Sequence, residues 1–170
     1  MPPHSKAETL ILSYINKGIL IDANLLLVLV LGLTHQGILK NHPKTAKYAV
    51  DDFHALQKLL DLFQTSLTTP QILTEVSNLA DPQRLGQHKQ VFGKVWQALT
   101  SNYLEICLPA KDIILKNIWY FQQYGLTDAG ILTLLDERDV LFLSNDLPLV
   151  NQVRSLGKPC LLYDDLRLPS

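Results

Sequence analysis

Twice in this chain a short apolar run ends on an acid and passes straight into a helix-forming stretch. Ile19-Leu20-Ile21 stops at Asp22 and continues as the apolar segment 23–33. Val140 to Leu143 runs through Ser144 and Asn145 to Asp146 and continues as 147–156. A strand that turns directly into a helix reaches its neighbour by a crossover, and right-handed crossovers gather the carboxyl ends of parallel strands along one edge. The strands are apolar throughout rather than alternating, which fits a sheet buried on both faces. The predicted fold class is α/β, with three layers, α/β/α, around a short and mostly parallel central sheet. At 170 residues and 47% hydrophobic, the chain suits a single domain over 1–170, in which 1–17 is a leading helical extension.

The remaining elements follow from periodicity and end signals. Leu10, Ile11, Tyr14 and Ile15 predict a leading helix over about 5–16, and the polar stretch 34–43 reads as a loop. Apolar positions recurring from Ala46 to Phe63 predict one amphipathic helix over 45–64. After a brief strand at Leu67-Thr68, Thr69 suits an N-cap and Pro70 a first helical position, opening a helix over 70–80 that Asp81-Pro82 ends. Further helices are expected over 83–99 and 110–124, with an extended segment at 104–106 between them. Gly125 stops the second of these, and Thr127 is expected to cap a helix over 128–137. A last strand covers 160–163, before Asp164-Asp165.

The acids carry the chemistry. Asp22 and Asp146 each follow a strand, so both belong on the carboxyl edge of the sheet. Asp128, opening a helix, and Glu75, one turn into another, would face the same crevice if their helices return past it. Crowded carboxylates repel and are tolerated only when protonated or shared with a cation. Oxygen-only donors select hard ions, so Mg2+ or Mn2+ is the expected cofactor. Such an ion generates a hydroxide nucleophile near neutral pH and stabilises phosphoryl charge, which makes phosphodiester hydrolysis the matching reaction.

Four blocks also resemble those of PIN-domain nucleases. Ile19-Leu20-Ile21-Asp22-Ala23-Asn24 is similar to the family's opening strand and first acid. Thr69-Pro70-Gln71-Ile72-Leu73-Thr74-Glu75-Val76 is similar to its second block, Gly125-Leu126-Thr127-Asp128-Ala129 to its third, and Leu143-Ser144-Asn145-Asp146-Leu147 to its fourth. They stand in the family order and span nearly the whole chain. The resemblance implies a metal-dependent endoribonuclease acting on RNA, often a homodimer, with Asp22, Glu75, Asp128 and Asp146 as catalytic metal ligands. Some relatives are the toxins of bacterial toxin–antitoxin pairs, which implies an antitoxin partner. The segment before Gly18 and the helices between Thr45 and Leu99 set this chain apart from the small toxins.

Plainer roles stand beside these. Asp22 and Asp146 suit helix N-caps, Asp128 a helix dipole, and Glu75 an exposed surface. Asn24 and Ser144 would orient ligands or bound water, or serve as local caps. Asn78 lies one turn after Glu75 and could share its crevice, while Asp164 and Asp165 suit a solvated turn. The histidines His4, His35, His42, His54 and His88 have no ligand spacing and read as surface or helix-face residues, as does the basic stretch Lys40, His42, Lys44, Lys47 with Tyr48. A dimer seam on 23–33 or 45–64 and ordinary core packing explain the same apolar pattern.

Composition narrows the alternatives. A formal charge of −1 offers no net attraction for nucleic acid, so binding would rest on local features. Cys107 and Cys160 form no CxxC pair and read as buried, reduced thiols. No signal peptide is recognisable, and Asp22 and Asn24 interrupt the most apolar run, 18–33, so the sequence predicts a soluble, cytoplasmic protein with no membrane partner. A haloacid-dehalogenase-type phosphatase would need a second Asp where Asn24 stands. The other alternative is a non-catalytic PIN-like scaffold or RNA-binding protein.

Overall fold

A computed structural model describes residues 6–166; His4 and the expected helix start at Ser5 lie outside them. Five strands, β1 (Ile19–Ile21), β2 (Ser66–Thr68), β3 (Leu104–Glu105), β4 (Leu141–Ser144) and β5 (Cys160–Leu162), form one sheet in the order β3-β2-β1-β4-β5. Every pairing is parallel, so the sheet is more uniform than the mostly parallel one expected. Chain progress runs outward from β1 to β3 and then returns to β4 and β5. Right-handed crossovers of opposite travel put helices on opposite faces, giving the three-layer α/β/α fold. The order reverses between β1 and β4, and such a switch point leaves a crevice outside the strands' carboxyl ends.

The helices are α1 (Lys6–Tyr14), α2 (Ala23–Thr34), α3 (Gly37–Asn41), α4 (Val50–Leu60), α5 (Pro70–Ala80), α6 (Lys89–Asn102), α7 (Ala110–Lys116), α8 (Ile118–Tyr124), α9 (Leu126–Glu137) and α10 (Leu147–Ser155). β1, β4 and nearly all of α2 are buried in one hydrophobic cluster, as expected of a parallel core and of a helix apolar all round. Residues 25–31 lie inside the core, so core packing accounts for their apolar pattern. α1 is anchored where Tyr14 and Lys17 both donate to Asp139, at 2.8 and 2.6 Å. No described helix is long and apolar enough to cross a membrane.

Several expectations are corrected. The loop 34–43 contains α3, because Ile38, Leu39 and His42 close backbone turns there. The helix expected over 45–64 begins only at Val50. Its approach is held by turns in which Thr45 Oγ1 donates to Leu39 O at 2.9 Å, and Asp52 accepts from the Ala49 N–H at 2.7 Å. The helix expected over 83–99 starts as a 3-10 turn over Pro82–His88, broken at Gly86, where φ is +51°. The one over 110–124 splits at Asn117, whose side chain donates to Thr133 Oγ1 at 2.7 Å and leaves the helical region. Cys160 is buried but Cys107 is exposed, against the expectation of two buried thiols.

Candidate functional site

The β1–β4 register aligns Ile21 with Leu143, so Asp22 and Ser144 emerge side by side from the two central strands. Asp22 caps α2: its Oδ1 accepts from the Leu25 N–H at 2.8 Å. Its Oδ2 accepts a short hydrogen bond from the Ser144 hydroxyl and a longer one, 3.4 Å, from the Asn145 N–H. Ser144 Oγ in turn accepts from the Asp146 N–H at 2.9 Å, and Asp146 Oδ1 caps α10 by accepting from the Leu149 N–H at 2.9 Å. The two strand-end acids are thus joined through one fully buried serine. Both N-cap readings of these acids hold, and a cap leaves the carboxylate its charge.

Asp128 and Glu75 come from the flanking helices. Gly125 caps α9 with a φ of +91°, a conformation that suits glycine, so the helix begins at Leu126. Thr127 therefore lies inside the helix and caps nothing, contrary to expectation, yet Asp128 still falls in the first turn. Glu75 lies in the second turn of α5, whose cap is the expected one: Thr69 Oγ1 accepts from the Ile72 N–H at 3.2 Å, and Pro70 opens the helix. α5 and α9 pack together, and a cleft of about 430 Å3 between them is lined by Gln71, Glu75, Asn78, Leu126 and Thr127, among others. Asn78 shares the crevice of Glu75.

The acids act on one another through their charges. Burial first, and then the charges of Glu75, Asp146 and Asp22 in that order, push the Asp128 carboxyl up to about 7. Asp22 is pushed up to about 6, the net of burial, which raises it, of hydrogen bonds from Ser144, Leu25 and Asn145, which lower it, and of the Asp146 charge, which raises it. Asp128 therefore feels all three other acids and is the hub of the group. The donors are all oxygen, which fits a hard divalent cation in chemistry. As the side chains stand, no three His, Cys, Asp or Glu among the described residues form a metal-holding group. The carboxylates of Asp22 and Asp146 are turned into their caps rather than towards a common point.

Asn24 is exposed in the first turn of α2, and no hydrogen bond holds its side chain among the described residues, so nothing here gives it an orienting role. The residue that sequence reasoning passed over is Asn145. Its N–H reaches Asp22, its Nδ2 donates to the Tyr48 hydroxyl at 2.9 Å, and its Oδ1 accepts from the Asp164 N–H at 3.2 Å. Its position between two site residues was the one available signal. Tyr48 is buried rather than part of a basic surface. Asp164 and Asp165 are exposed, and Asp165 lies 3.8 Å from Arg154. His42 is buried as well, against its expected surface role; burial lowers its pKa. Compared with known proteins, the chain matches no family model, no curated protein and no solved structure.

Proposed function

We propose that this chain is a cytoplasmic Mg2+- or Mn2+-dependent endoribonuclease, in which Asp22, Glu75, Asp128 and Asp146 would hold the cation. One observation carries the reading. Asp22 and Asp146 cap the helices that leave the central strands at the switch point of a parallel sheet, and the charges of both, with that of Glu75, add to the burial that raises the Asp128 carboxyl. The four-block resemblance to PIN-domain nucleases supports the same assignment, and extends it to a homodimer and to an antitoxin partner.

A hard cation bound there would supply an activated water near neutral pH and spread the charge developing on a phosphoryl oxygen. The protein's own groups supply position and protons. The two caps and the Ser144 bridge fix Asp22 and Asp146 relative to each other, which leaves Asp146 Oδ2 and a turn of either carboxylate to meet a cation. Asp128, with its carboxyl near neutrality, can hold or release a proton at working pH.

One observation favours a second reading, a non-catalytic scaffold or RNA-binding protein: the acids are engaged in caps and do not close on a common point. Incubating purified protein with labelled single-stranded RNA and Mn2+ separates the two. The nuclease reading expects cleavage that a chelator stops, and that Asp22→Asn and Asp146→Asn lower by on the order of a hundredfold or more, since losing a supporting group alone costs about 10–100-fold. Equal cleavage by wild type and variants would remove these acids from the reaction. RNA binding without metal-dependent cleavage would favour the scaffold.

A further inference from the structure

Three of the chain's five histidines line one cavity. It measures about 340 Å3 and lies between α3 and the 3-10 turn Pro82–His88, with His35, His42, His88 and Arg84 in its wall. It shares no residue with the cleft at Glu75, and no aspartate or glutamate lines it. Ile38, Pro43 and Leu85 supply an apolar wall. Small-molecule sites combine such a wall with a few placed polar groups, in volumes of about 300–1,000 Å3. Leu85, only 3% exposed, anchors in the core the turn that carries Arg84 and His88.

The polar groups are set as donors. The Gly37 N–H donates to Nδ1 of His35 at 3.2 Å, and the Lys44 N–H to Nδ1 of His42 at 3.3 Å. A ring nitrogen that accepts carries no proton, so in both neutral rings the proton sits on Nε2. Each ring is thereby a donor at Nε2 and a poor metal ligand there. His42 is buried, which lowers its pKa, so it takes part as a neutral group. His88 stacks on His35, with ring centroids 4.5 Å apart and planes 26° from parallel. Two charged rings so close repel each other, and an anion beside them offsets that repulsion. Arg84 is held by one edge. Its Nε lies 2.8 Å from Asp81 Oδ2, and no other acid pairs with it among the described residues, which leaves its terminal nitrogens for a ligand. Asp81 makes this contact from a left-handed backbone, φ 44°, the one non-glycine residue so placed among the described residues. Such a conformation persists only where its surroundings hold it.

We infer that this cavity binds a phosphate-type oxyanion, either the free ion or the phosphoryl group of a small molecule. Arg84 supplies fixed charge and planar donors that match two oxygens of the anion. Nε2 of His35 and the ring of His88 supply further N–H donors, and the apolar wall is left to an organic substituent. The site needs neither metal nor RNA, so it stands apart from the nuclease reading.

The test is calorimetric titration of inorganic phosphate, and of phenyl phosphate, into the full chain in chelator at about pH 6.5, inside the range where imidazoles change charge. Saturable binding is expected. Arg84→Gln and His88→Gln should each weaken it by about 10- to 150-fold, the loss of one hydrogen bond to a charged group, with Arg84→Lys restoring part. Arg84 is exposed and His88 half-buried, so the ligand-free variants should melt as the wild type does. Tighter binding of phenyl phosphate than of phosphate would assign the site to a phosphorylated small molecule, and equal binding to the free anion. Asp22→Asn should bind phosphate like the wild type. No saturable binding up to about 10 mM phosphate, or binding unaltered in both Arg84→Gln and His88→Gln, would overturn the inference. So would loss of binding in Asp22→Asn with Arg84→Gln unaffected, which would move the anion to the acids. Arg84-dependent phosphate binding in a chain that cleaves no RNA would remove the nuclease reading alone.

Discussion

Asp22 serves as a helix cap and as a buried charge, and substitutions can separate the two. Asparagine caps a helix about as well as aspartate, whereas alanine costs about 0.5–2 kcal/mol at such a position. Asp22→Asn is therefore expected to melt no lower than wild type in metal-free buffer, and Asp22→Ala to melt clearly lower; both should lose metal-dependent activity. Thermal melts beside the cleavage assay check this, and a large loss of stability in Asp22→Asn would mean that the charge itself holds the fold together. Asp128 gives the complementary case. Its folded-state pKa is raised from 3.8 to about 7, so it favours folding only while protonated. That contribution is fully present below its ordinary value and is lost as pH rises through about 7. Asp128→Asn should therefore stabilise the metal-free protein near pH 8 and do little near pH 4, read from denaturant midpoints at the two pH values. Equal effects at both would show that the ionised group meets no penalty in the fold.

At the scale of elements, α2 and α4 pack through a missing side chain. A Cβ on Gly32 would stand 2.3 Å from Cδ2 of Phe53, a ring only 2% exposed and so unable to swing away. Alanine raises helix propensity by about 1 kcal/mol over glycine, but overpacking a closed core costs about 1–3 kcal/mol. Gly32→Ala is expected to destabilise overall, which urea denaturation measures; a stabilised variant would mean that the α2–α4 contact can give way. The same distinction explains which elements were legible in the sequence. Thr69-Pro70 opens α5 by local chemistry, and Gly125 stops α8 by its backbone freedom, so both ends could be read. Thr127 looked equally suited to capping, but the glycine two residues earlier took that position. The break at Asn117 depends on Thr133, and the late start of α4 on turns held by Leu39 and Asp52. Neither contact between α7 and α9, nor the one back to α3, leaves a trace in the local pattern.

Across the whole molecule, the parallel sheet was readable because apolar runs ending in acids leave few topologies open. The convergence of Asp22 and Asp146 follows from that topology and from the β1–β4 register. The approach of Glu75 and Asp128 depends on the packing of α5 against α9, which the resemblance suggested and spacing alone could not supply. The Asn145 contacts to Tyr48 and Asp164 join segments far apart in the chain and had no signal beyond position. The acid group makes the stability of the fold depend on pH. Asp22 and Asp128 both have raised values, of about 6 and about 7, so the metal-free protein should lose stability as pH rises from about 4 to about 7. A cation that binds the ionised group should reverse that loss, because it binds the folded chain in preference to the unfolded one. Melting curves across this range, with and without Mg2+, are expected to diverge as pH rises; parallel curves would mean that the acids titrate independently of any ion.

The most direct measurement is a calorimetric titration of Mn2+ into the metal-free protein at about pH 8, where both raised carboxyls are ionised. The expected result is saturable binding that weakens towards about pH 5 and is lost in Asp22→Asn and Asp146→Asn. Equal binding by wild type and variants, or no saturable binding up to millimolar Mn2+, would contradict the account.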